Sequence, residues 1–166
     1  MRASDETGAV RIFASPTDVL RRYTTIMIDE PTMVEARLSN SEALAIRNAL
    51  AAALQTELAR DRQIVTSPAA DTLRVRYAIV EVETSNVALN ALTTAVFGAV
   101  DYGSLALEAE VIDARTGDRV AAMTWARGAK ATNVLGAYSP TGNARALAPN
   151  FAERLALLIS PHPPAS

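Results

Sequence analysis

The sequence contains no cysteine, which excludes disulfides, thiolate metal sites and cysteine nucleophiles and leaves the redox compartment open. Histidine occurs once, as His162 in a Pro161-His162-Pro163-Pro164 tail. A serine-type triad needs an imidazole held beside its nucleophile, whereas a residue in such a tail is solvated. Aromatic side chains are sparse, at one Trp, four Tyr and three Phe. Packing must therefore rest on Ala, Leu and Val. Lysine is nearly missing: Lys130 stands alone against arginine, a pattern that suggests GC-rich coding more than function. Acids and bases are interspersed, for a net charge of -2. With no basic stripe to neutralise phosphates, nucleic-acid binding is not expected. No run approaches the ~20 apolar residues of a spanning helix. Residues 1–8 lack the apolar stretch of a signal peptide. G-x-G-x-x-G, P-loop, H-E-x-x-H and G-x-S-x-G patterns are all missing, so no cofactor is expected.

What is present is an ordinary globular composition, 49% apolar over 166 residues, the size of one domain. We read residues 1–15 as a flexible lead, 16–160 as a single domain and 161–166 as a Pro-rich tail. Val10-Arg11-Ile12-Phe13 alternates and suits a short edge strand. Ser15 and Pro16 suit a turn or the start of a short helix. Thr24-Thr25-Ile26-Met27-Ile28-Asp29 is a β-branched strand that Pro31 ends. Residues 39–60 read as a helix opened by a Ser39/Glu42 capping box. Ile46, Leu50, Leu54 and Leu58 form its buried stripe. Gln63-Ile64-Val65 is a short strand.

Residues 72–84 form a long strand with an irregular pattern. Leu73, Val75 and Tyr77 alternate with Arg74 and Arg76, and then Val80 and Val82 take the opposite phase. Either a β-bulge lies near Ala78-Ile79, or the strand end is buried on both sides. Residues 104–113 and 119–127 form a hairpin. Gly117 sits where its turn needs positive φ, and Asp113 is placed to accept backbone N–H bonds inside the turn. After Gly128 comes a loosely structured stretch with Gly136, Pro140 and Gly142. A last helix follows, with Phe151, Leu155, Leu158 and Ile159 inward, and Pro149 starts or kinks it. This order gives an α+β fold: a mixed or antiparallel sheet of about five strands, with two main helices on one face.

Three stations along the chain resemble one family of bacterial envelope lipoproteins, the domain of unknown function 3313. They are Tyr23-Thr24-Thr25-Ile26-Met27-Ile28-Asp29-Glu30-Pro31, then Asp71-Thr72-Leu73-Arg74 running on to Ala78-Ile79, and Glu108-Ala109-Glu110 with the Asp113-Ala114-Arg115-Thr116-Gly117 turn. The resemblance spans residues 16–159. It implies a domain on the periplasmic face of the cell envelope, anchored to the outer membrane by a lipidated Cys ahead of the domain. It supplies no chemistry.

Two features are candidate sites. Asp29, Asp71, Glu108, Glu110 and Asp113 are carboxylates that, converging on one pocket, would bind a divalent cation for hydrolysis. The simpler reading makes Glu108 and Glu110 the water face of the sheet, paired across strands with Arg74 and Arg76, each pair contributing roughly 0.2–1 kcal/mol. The second feature is the uncharged run 84–100, in which Leu89, Leu92, Val96, Phe97 and Val100 are apolar. It reads as a buried crossing helix or as a partner surface. Its length and two Asn argue against a membrane span. The expected function is therefore a non-catalytic binding or assembly module of the envelope. Its partner would be another envelope protein or a second copy, and it would touch the membrane only through a lipid anchor outside these residues. A carboxylate-metal hydrolase and a cytoplasmic accessory domain of the same fold are the alternatives.

Overall fold

The computed structural model describes residues 8–34, 40–82, 104–127 and 140–162. In chain order the elements are β1 (Gly8–Ala14), α1 (Thr17–Leu20), β2 (Thr25–Ile28), β3 (Thr32–Val34), α2 (Asn40–Leu58), β4 (Gln63–Ile64), β5 (Thr72–Val82), β6 (Ser104–Asp113), β7 (Arg119–Arg127) and α3 (Pro140–Leu158). The sheet runs β1-β7-β6-β5-β2-β4, with β3 also on β5. The β1, β7, β6 and β5 ladders are antiparallel, and those of β2 with β5, β3 with β5 and β2 with β4 are parallel. The fold is α+β with a mixed sheet. Its seven strands exceed the five expected because β1 adds a seven-residue edge strand at one rim and β3 and β4 add short pieces at the other.

Period 2 in the strands and period near 3.6 in the helices meet in one core. Leu73, Val75, Tyr77 and Ile79 of β5, Leu107, Ala109 and Val111 of β6, and Ala121, Met123 and Trp125 of β7 line its sheet side. Ile46, Leu50, Leu54 and Leu58 of α2 close over them, as their spacing predicts. Each such burial contributes about 1.5–3 kcal/mol against exposure. Phe151 and Leu155 of α3, and Ile159 just after it, are fully covered, and the Phe151 ring stacks on Trp125 at 6.3 Å. Ser160 Oγ donates to Asp61 Oδ2 at 3.1 Å, which brings together the chain segments that leave α3 and α2. Arg62 is buried and donates to the carbonyls of Tyr23 and Leu20, each at 3.2 Å. Burial depresses its pKa.

Several details differ from the sequence pattern. β1 holds Gly8–Ala14 in the sheet, within the segment read as a flexible lead. Its alternation makes it an edge strand on β7. α1 begins at Thr17 with Pro16 as its N-cap, and Ser15 instead gives its N–H to Val120 O. α3 starts at Pro140, inside the stretch read as loose, so Pro149 lies within the helix rather than at its start. The capping box falls outside the described residues at Ser39 and at the Glu42 side chain.

Of the two readings of β5, the bulge is absent, and burial on both faces is present at residues 77–79. The β5–β6 register is unbroken from Leu73↔Asp113 to Val82↔Ser104, so no bulge occurs at Ala78-Ile79. Tyr77, Ala78 and Ile79 are buried in succession, so the strand is covered on both faces there. On the other flank, Ile28 pairs with Val75 and Thr32 with Ala78. The connection from β2 to β3 therefore carries one residue more than β5 does. A true register shift appears between β6 and β7, at Val111/Ile112.

Candidate functional site

The face of the sheet opposite the helices carries the charged residues, because every second residue of β5 and β6 turns away from the core. A cleft of about 110 Å³ opens there, lined by Asp29, Glu30, Thr32, Arg76, Glu108 and Glu110, with Ala78 and Ala122 at its floor. The residues at the end of β2 supply Asp29 and Glu30, and β6 supplies the other two acids.

Each ion pair at the cleft follows from register. Arg74 faces Ile112 on β6 but Met27 on β2, so it reaches sideways to Asp29, two residues further along that chain. Its Nε lies 2.9 and 3.0 Å from the two carboxylate oxygens, and its Nη2 lies 2.9 Å from Oδ2. This carboxylate contact raises the Arg74 pKa further. Arg76 stands opposite Glu110, with 3.9 Å between Nη1 and Oε2. Arg119 Nε donates to Glu110 Oε1 at 2.7 Å. The Glu110 side chain is only 12% exposed. Glu108 stands between Ala78 and Thr124 and is half-buried. Of the expected cross-strand pairings, that of Arg76 with Glu110 is present, while Arg74 turns to Asp29. Asp29 takes Arg74, because the parallel β2 ladder places it nearer.

The five candidate carboxylates divide into two groups. Asp29, Glu108 and Glu110 line the cleft. Asp71 and Asp113 lie at the end of the sheet where β5 begins and β6 finishes, and they do not line it. There Asp113 Oδ1 accepts the N–H groups of Arg115 and Thr116 at 2.8 and 2.9 Å, and Oδ2 accepts the Tyr23 hydroxyl at 2.9 Å. The backbone donor of Thr116 is the main cause of the lowered Asp113 pKa, with Arg115 and Tyr23 adding to it against a desolvation that opposes them. Burial and the neighbouring Asp113 raise the Tyr23 pKa. Thr24 Oγ1 donates to Asp71 Oδ2. Gly117 has φ 78, as the turn required. This second group is a brace joining the start of β2 to the β6–β7 turn.

Among the described residues, no three carboxylates or histidines stand in a metal-binding arrangement. None of the helices described is long and apolar enough to cross a membrane. His162 is exposed after α3. The partner-surface candidates Leu89, Leu92, Val96, Phe97 and Val100 lie outside the described residues. Sequence reasoning missed Glu30, Thr32 and Arg119 at the cleft. The first two arrive through the parallel β2–β3 strip, which no local periodicity marks.

The family model described as "Protein of unknown function (DUF3313)" matches residues 1–155. No curated protein matches the chain in sequence. PelC from Paraburkholderia phytofirmans, solved as a dodecamer in two crystal forms, is similar in structure at TM-score 0.52 and 16% identity, over 90% of this chain and 98% of PelC. A PDZ domain protein from Parabacteroides distasonis ATCC 8503 is similar at TM-score 0.50 and 11% identity, over 89% of this chain and 36% of that one. At these identities the likeness establishes shared fold alone.

Proposed function

Since the chain belongs to the DUF3313 family of proteins of unknown function, we propose that it is a non-catalytic binding or assembly module of a bacterial envelope lipoprotein, working on the periplasmic face of the outer membrane. The observation that supports the non-catalytic part is the engagement of two of the cleft acids, Asp29 and Glu110. Asp29 is held by Arg74 through contacts of 2.9–3.0 Å, and Glu110 by Arg119 at 2.7 Å. Carboxylates bound this way brace strands. A general base or metal ligand needs a free lone pair aimed at substrate or ion. The envelope location is supported by the lipoprotein-like stations at Tyr23, Asp71 and Glu108. Self-association is the preferred mode of assembly, in keeping with a fold that PelC uses in a dodecamer.

Two measurements test this reading. The gene is expressed with its native upstream region, and cells are fractionated after metabolic fatty-acid labelling. A lipid-labelled, membrane-associated chain is expected, and an unlabelled cytosolic chain overturns the location. Separately, Asp29→Asn with Glu110→Gln is placed in a deletion strain. Retained cellular function is expected. Lost function from a chain that is still folded overturns the non-catalytic role.

A further inference from the structure

β1 is the outermost strand at one end of the sheet. Its hydrogen-bonding parity is fixed by its neighbour. Ser15 donates its N–H to Val120 O at 2.8 Å, and the ladder continues back through Ala14↔Ala121 to Gly8↔Arg127. In an antiparallel ladder the residues that exchange hydrogen bonds alternate. Arg11 and Phe13 therefore turn their N–H and C=O groups toward β7, and Val10, Ile12 and Ala14 turn theirs outward. Among the described residues no strand meets that outward edge. The side chains beside it are exposed too, Ile12 at 62% and Phe13 at 47%.

Sheet edges are ordinarily blunted by shortness, proline, bulges or several charges. β1 has seven residues, no proline, no register break against β7 and one charge, Arg11. On the opposite rim β4 has two residues and β3 has three, both too short to complement it. Within the described chain, the strand whose length and parity match the free edge of β1 is β1 itself.

We propose that two copies of this chain pair β1 to β1, antiparallel, about a two-fold axis at Ile12. This contact rests on the assembly reading above and names its surface. Ile12 stands opposite the partner's Ile12, and Val10 opposite the partner's Ala14. These three pairs use every outward N–H and C=O from Val10 to Ala14, and each pair exchanges two hydrogen bonds. On the other face Arg11 meets the partner's Phe13, a cation over a ring. Sliding the axis to Arg11 would set that guanidinium against its own copy, and like charges directly opposite are unfavourable. The joined sheet is continuous through both copies, with Ile12 and Phe13 covered.

The test uses the full chain. Sedimentation across a concentration series should show a monomer–dimer equilibrium. Ile12→Pro removes one outward N–H and none of the bonds to β7, a place where an edge strand tolerates proline. Ile12→Lys keeps the strand and opposes two charges at the axis. Each should weaken dimerisation by about tenfold or more with circular dichroism unchanged. If the proline variant unfolds, the lysine variant alone decides. The chain has no cysteine, so introduced thiols report register. Arg11→Cys mixed with Phe13→Cys should cross-link under mild oxidation, because facing residues at that non-hydrogen-bonded site come within disulfide reach. A wild type that is monomeric throughout, or a dimer indifferent to Ile12→Lys, overturns the contact. Efficient self-linking of Arg11→Cys alone overturns the register. A monomer that still fractionates with the envelope defeats this contact and spares the module reading, and a β1 dimer found in a cytosolic chain does the reverse.

Discussion

Arg119 meets Glu110 because β7 carries one residue more than β6 at their turn. Ala121 pairs with Val111 but Arg119 with Ile112, which leaves Val120 as the extra residue. The insertion turns Arg119 to the outer face while Ala121, Met123 and Trp125 stay inward. A bulge here re-aims a single side chain. Its result is the 2.7 Å contact that, with Arg76, fixes Glu110 of β6.

Glu110→Gln keeps the shape and removes the charge. We expect a loss of about 1 kcal/mol, at the upper end for an ion pair reached by solvent, since the Glu110 side chain is largely covered. Urea unfolding at low and high salt measures it. The loss should shrink in salt, and equal stability of variant and wild type at low salt would show that the pairs contribute nothing.

Gly117→Val should lower stability by about 1–2 kcal/mol, the penalty of left-handed backbone for a residue with a Cβ. Space is not the cause, because an added Cβ would meet no atom within 4 Å. Gly117→Asn, which tolerates this backbone better, should recover much of the loss. Comparable melting temperatures for the Val and Asn variants would contradict the backbone explanation.

Burial pushes the Tyr77 pKa up to about 12 from 10.0. A raised folded-state pKa favours the fold below the unfolded value, and that contribution is lost as pH climbs through the folded one. Wild-type stability should therefore fall between pH 10 and about 12. The buried Tyr77 hydroxyl has no hydrogen-bond partner among the described residues. Tyr77→Phe should match or slightly exceed wild type at pH 7 and flatten the alkaline loss. Urea midpoints at both ends of that range decide, and a variant much weaker at pH 7 would reveal a hidden bond.

Asp113 has the opposite sign. Its folded pKa lies below the ordinary 3.8, so it stabilises the fold above that pH and stops doing so as pH falls through the lowered value. Asp113→Asn should be less stable than wild type at pH 7, and the gap should close in acid. A constant gap between pH 7 and pH 3 would assign the effect to packing.

Local pattern made much of this fold legible. The four-residue recurrence of Ile46, Leu50, Leu54 and Leu58 set the helix and its inner face before any contact was known. The turn chemistry of Asp113 and Gly117 did the same for the hairpin. Non-local pairing was not legible. Val80 and Val82 resemble a phase change within β5, yet the register is unbroken and residues 77–79 are covered on both faces, beside a β2–β3 strip that only a parallel crossover brings alongside. For the same reason Arg74 looked like a partner for the β6 acids, when its carboxylate is Asp29. The sequence showed which residues are charged and turned from the core. It could not show which acids share a cleft, because that depends on sheet order.

Among the described residues the first strand finds its place beside the last. β1 docks on β7, whose residues follow more than a hundred positions later, and only then is β7 flanked on both sides. Closing so long a loop slows folding and delays completion of the sheet until Arg127 has been made. A chain emerging N-terminus first, from a ribosome or across a membrane, carries β1 unpaired until β7 follows it. Throughout that interval both edges of the strand are open to pairing with other strands.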